Sequence, residues 1–104
     1  MTKLEIGLAS AANGGLFDLG ALVGTPGAVA AMQRVNVTAR ELLKRHHTGD
    51  WGDIHPEDVG LNEEALETGA RIFSVYKFPH ANETIWIITE ADRSVTTILL
   101  PEDY

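Results

Sequence analysis

The sequence predicts an α+β domain, about three short helices packed on an antiparallel β-meander. Three observations carry that prediction. Threonine-led helix starts punctuate the middle of the chain, the apolar spacing shortens to two residues from Arg71 onward, and only short polar connections separate the last three apolar runs. A chain of 104 residues fits one domain spanning 1–104, with residues 1–18 expected to be loosely ordered because glycine is concentrated at the start.

Asn13-Gly14 has the composition of a two-residue hairpin turn, so Leu4–Ala11 and Leu16–Val23 are expected to pair and add one or two strands. Thr25-Pro26 reads as N-cap and first helical position, with Asn36 as the stop. Thr38-Ala39-Arg40-Glu41 is a capping box, flanked by Val37 and Leu42 at staple positions. The helix it starts runs into Lys44, Arg45, His46 and His47, cations suited to a C-terminal dipole, and Gly49 ends it. A third helix is expected from Asn62, with Leu61 and Leu66 as its staple and Gly69 as its stop. Ile72–Phe78, Thr84–Glu90 and Val95–Leu100 are rich in β-branched and aromatic residues and form the meander, because their short connections allow only antiparallel neighbours. Pro101–Tyr104 reads as an acidic tail.

Composition narrows the function. There is no Cys, which removes disulfides, thiolate metal clusters and thiol chemistry, and fits a cytoplasmic protein. No apolar run approaches the ~20 residues of a membrane span. No signal peptide is read at the N-terminus. The net charge of −7 is unevenly spread: residues 1–48 balance to +2 and residues 49–104 to −9. Such a surface repels a phosphate backbone, so direct nucleic-acid binding is disfavoured and a basic protein partner is favoured. Walker, G-x-G-x-x-G and G-x-S-x-G patterns are absent, and no cofactor is expected.

Two polar clusters are candidate sites. The first, His46–His55, gathers three His with Asp50 and Asp53 around Trp51, which lies between acidic residues on a glycine-flanked loop. His46, Asp50 and His55 offer imidazole and carboxylate ligands for a divalent metal, although the spacing matches no recognised ligand pattern. Helix capping and loop hydrogen bonds account for the same residues. Trp51 is either a core plug or a partner anchor. The second cluster is the turn Glu90-Ala91-Asp92-Arg93-Ser94, with Thr96 and Thr97 beyond it. His46, Glu90, Arg93 and Thr97 supply the parts of a small metal-independent ribonuclease or hydrolase: acid–base groups, a cation for an anionic transition state and a hydroxyl. A β-turn with a surface ion pair explains the same turn. Gly24-Thr25-Pro26-Gly27 could hold an anion at a helix start, or simply cap it.

Three stretches also carry a resemblance: His46-x-x-Gly49-Asp50-Trp51-Gly52-Asp53, Asn62-x-x-Ala65-Leu66, and Trp86-Ile87-Ile88-Thr89-Glu90-Ala91-Asp92-Arg93-Ser94-x-Thr96-Thr97-Ile98-Leu99-Leu100-Pro101. Together they resemble a family of small plasmid- and phage-associated proteins, often called plasmid-related protein and sometimes type I restriction endonuclease subunit M, over roughly residues 19–104. The resemblance implies a mobile-element setting. The methyltransferase label fails on chemistry, because a base-flipping methylase needs an Asn/Asp-Pro-Pro-aromatic motif and the chain has no Pro-Pro. The leading expectation is therefore a non-catalytic accessory protein. It would engage a protein partner, in one version a nucleic-acid-binding one, through Asp50, Trp51, Asp53, Glu90, Asp92 and Arg93. The hydrolase is the alternative, and a metal site at His46, Asp50 and His55 is a third reading.

Overall fold

Local capping signals set the helices. The computed structural model describes residues 3–6 and 15–104. Thr25 accepts from the Ala28 amide and Pro26 opens α1, Pro26–Arg34, which ends before the left-handed Asn36. The Thr38–Glu41 capping box forms as the sequence requires and opens α2, Ala39–His47. The third helix, α3, runs Pro56–Thr68 and starts six residues before the expected Asn62. His55 caps it through Nδ1 and Pro56 takes the first position, the same Xaa-Pro logic that opens α1. Leu61 is consequently no staple but a mid-helix residue, 60% exposed. Gly69, left-handed at φ +80°, ends the helix as expected.

The strands form one five-stranded sheet. Two short strands, β1 (Leu4–Glu5) and β2 (Ala21–Gly24), precede the helices. β3 (Ile72–Phe78), β4 (Glu83–Thr89) and β5 (Val95–Leu99) follow them as an antiparallel meander. The spatial order is β1-β2-β5-β4-β3, and β2 lies parallel to β5, so the sheet is mixed and the meander is only part of it. The expected N-terminal hairpin survives at its open end, where Leu4 faces Gly24 and Glu5 faces Val23. Its Asn13-Gly14 turn lies outside the described residues, as does most of the stretch expected to be loose. Leu16–Gly20 is irregular rather than strand.

Alternation divides the sheet into two faces. Ile72, Ser74 and Tyr76 of β3 share one with Ile85, Ile87 and Thr89 of β4 and with Thr96 and Ile98 of β5. Ala28, Ala31 and Met32 of α1 and Leu42 and Leu43 of α2 close over Leu22, Tyr76, Ile85, Ile87 and Ile98 there as the main core. A second, smaller core joins Trp51, Ala65 and Ile72. The other face carries Phe73, Val75, Trp86, Ile88, Thr97 and Leu99, none of which belongs to either helix-built core. Among the described residues no helix is long and apolar enough to cross a membrane.

Candidate functional site

The helix-side face holds an unusual polar element. His46, fully buried, is 2.6 Å from Ser74 Oγ through Nδ1 and 2.9 Å from Thr89 Oγ1 through Nε2. Thr89 Oγ1 lies 2.7 Å from Thr96 Oγ1, which donates to the Leu19 carbonyl at 2.7 Å. Each hydroxyl has one proton, and this fixes the direction of the whole chain. Thr96 spends its proton on Leu19, so Thr89 donates to Thr96 and accepts from Nε2–H of His46. In the neutral ring Nδ1 then accepts from the Ser74 hydroxyl. Burial, and secondarily the neighbouring charges of His47 and Arg93, push the His46 pKa down to about 3, which keeps the ring neutral.

Of the proposed hydrolase set, Arg93 lies near enough for its charge to act on His46, but neither it nor Thr97 is hydrogen-bonded to the ring. Thr97 sits on the opposite side of β5 from Thr96, facing away from the imidazole. Arg93 gives its guanidinium to backbone carbonyls: Nη1 donates to Ala70 at 2.6 Å and Glu90 at 3.2 Å, and Nη2 to Ala65 at 3.1 Å. Ala65 lies near the end of α3, which has no basic residue in its own last turn, so Arg93 supplies the missing cation from across the chain. The metal triplet is dispersed. Both His46 nitrogens are used, Asp50 pairs with Arg45 and His55 caps α3. No cluster of three metal-type ligands occurs among the described residues.

The Trp51 loop is stitched to the body of the domain. Arg45 Nε donates to Asp50 at 2.7 Å, and this ion pair holds the Asp50 carboxyl below its ordinary value. The Tyr76 hydroxyl donates to the Asp50 carbonyl, and burial raises that phenol well above its usual range. The Asp53 amide donates to Val75 and its carboxylate accepts from the Lys77 amide. Trp51 is 8% exposed and packs on Ala65 and Ile72, so of the two roles open to it the structure gives the core plug. Its Nε1 has no hydrogen-bond partner among the described residues, a cost of about 1–3 kcal/mol that the buried ring area offsets. At the hairpin tip Asp92 accepts from Ser94, whose hydroxyl and amide lower the Asp92 pKa.

The two polar segments do converge, but inward. Phe17 packs on the Trp51 core, stacks edge-on against His46 with centroids 5.3 Å apart, and lies 5.7 Å from the Arg93 guanidinium carbon. Their meeting point is an aromatic ring rather than an exposed patch. The expected anion position at Gly24–Gly27 is likewise taken from within: Thr25 Oγ1 donates to the Asp103 carboxylate, which also accepts from the Leu100 amide. The expected acidic tail is thus a docked 3-10 turn, Pro101–Asp103.

A concave surface lies elsewhere, on the sheet face opposite α1 and α2, where α3 supplies one wall. A cleft of about 320 Å³ is lined by Asp58, Leu61 and Asn62 of α3, Arg71, Phe73, Trp86, Ile88 and Tyr104. Trp86 stands between Phe73 and Tyr104, edge-on to each, with centroids 5.1 and 5.8 Å away. The Arg71 guanidinium lies 5.8 Å above the Tyr104 ring and donates to its hydroxyl at 3.1 Å. Leu61 and Tyr104 are 60% and 70% exposed. Sequence reasoning passed over these residues because strand aromatics read as core. The available signal was alternation: Phe73 and Trp86 fall out of phase with Ile72, Tyr76, Ile85 and Ile87.

Comparison of the chain with family models, with curated proteins and with solved structures found no match.

Proposed function

We propose that this protein is a non-catalytic binding domain that takes a protein partner at the aromatic cleft between α3 and the sheet face opposite α1 and α2. One observation carries the reading. Of the polar residues that suggested chemistry, His46, Asp50, Asp53, Asp92 and Arg93 are engaged in holding the fold, whereas Leu61, Phe73, Trp86 and Tyr104 form a cleft open to solvent. Exposed aromatics in a concave site are the usual anchors of partner recognition. The contact surface so proposed replaces the Trp51 loop and the Asp92–Arg93 turn. The resemblance to plasmid- and phage-associated proteins supports a mobile-element setting, and the absence of Cys supports the cytoplasm.

The experiment compares co-purified proteins across two sets of variants. Leu61→Glu and Trp86→Ser are expected to lose a partner that Asp50→Asn and Asp92→Asn retain, with circular dichroism confirming that all four fold. Retention of the partner by both cleft variants, or its loss with the Asp50 and Asp92 variants alone, would return the interface to the loop and turn.

A further inference from the structure

The cleft has a chemical preference. Its α3 wall belongs to a helix with Glu57, Asp58, Glu63, Glu64 and Glu67 and no basic residue, and Glu102 precedes Tyr104 on the other side by two positions. Between them stand three aromatic rings, whose faces attract cations. The single cation lining the cleft among the described residues, Arg71, already uses this property: its guanidinium rests over Tyr104 and is held by the phenol oxygen. Resting on the binding reading above, we infer that the cleft accepts an Arg or Lys side chain from a basic, partly apolar segment of the partner, and that Arg71 is an internal competitor for the same aromatic surface. The incoming stem covers Ile88 and Phe73, the charged head lies on Trp86, and Asp58 offsets part of the positive charge that the head and Arg71 bring together. Long side chains of this type bury their methylenes on apolar surface while the head stays polar.

Arg71 makes the inference decidable, since a cationic and an anionic ligand predict opposite effects of removing it. The probe is a short peptide alternating Arg and Leu, compared with versions carrying Gln or Glu in place of Arg. Binding is followed by nuclear magnetic resonance shifts of the Trp86 indole and of the Phe73 and Tyr104 amides. The Arg peptide is expected to move these signals and to bind about tenfold more tightly than the Gln version. Trp86→Leu weakens it by a similar factor, which separates cleft binding from general attraction to an acidic surface. Arg71→Ala tightens it about threefold, because a competing like charge is gone. Preference for the Glu version, or loss of binding in Arg71→Ala, overturns the inference in favour of an anionic ligand. Equal binding of Arg and Gln versions at the cleft overturns it too, but leaves the binding domain standing. Shifts confined to α3, with the three cleft signals unmoved by any peptide, remove both.

Discussion

At the scale of single residues, His46 shows how a titratable group becomes structural. Its neutral ring completes a run of hydrogen bonds from Ser74 to the Leu19 carbonyl, and protonation would place a second proton where Ser74 already donates. The unfolded chain binds that proton near pH 6.5, whereas the folded chain resists it to about 3. Stability is therefore full above pH 6.5 and falls as the pH drops through the interval, by roughly 2–3 kcal/mol at pH 4.5. The carboxylates with depressed values, Asp50 and Asp92, add their own loss only as the pH falls to about 4 and below, at the acid end of that window. Urea midpoints at pH 7.5 and 4.5 measure the effect. His46→Asn is expected to be less stable at pH 7.5 and to lose most of the dependence; equal pH slopes in both proteins would show that the ring does not stay neutral. None of this was legible in advance, because the partners of His46 lie 28 and 43 positions away. The Thr25 and Thr38 caps were legible, because their partners lie three residues along.

Among the elements, β3 presents the more instructive edge. Its outer side would offer free amides and carbonyls to any passing strand, and the protein covers them from two directions. Trp51 accepts from the Val75 amide and Asp53 donates to the Val75 carbonyl, while the Asn62 amide side chain pairs with both backbone groups of Phe73 at 2.7 and 3.1 Å. Gly52 makes the first cover possible. It is left-handed at φ +71°, and a Cβ there would overlap the Val75 carbonyl oxygen and press on the Tyr76 ring. Gly52→Ala is expected to cost about 2–3 kcal/mol, read as a lowered urea midpoint, with faster hydrogen exchange of the Val75 amide. An unchanged midpoint would mean that the loop is not seated against β3. The three C-terminal strands and the first two helices were readable because period, cap and turn all act over a few residues. The early start of α3 is masked by the Leu61 and Leu66 spacing, which mimics a staple one turn inside the helix. His55-Pro56 with Glu57 and Asp58 behind it was the better signal, since a proline at the first helical position needs no partner for its missing N–H. Arg93 hid its role differently: a left-handed Arg looks like an unfavourable turn residue until α3 is seen to need its charge.

For the molecule as a whole, the class and the helix-on-sheet layering followed from sequence. The parallel join of β2 to β5 did not, because nothing local in residues 21–24 names a partner more than 70 positions distant. That join has a consequence for how the protein is made. β5 is the last strand to be synthesised and yet lies inside the sheet, between β2 and β4. A nascent chain that has emerged only as far as the hairpin tip holds β1 and β2 apart from β3 and β4, with the apolar sides of α1 and α2 lacking part of their floor. Assembly of the sheet must therefore wait until residues 95–99 are free to join it, after which both halves close on the late arrival together. A chain ended after Ser94 is expected to be digested by protease as fast as the urea-unfolded protein, and a resistant fragment of that length would show that the first half assembles without its centre.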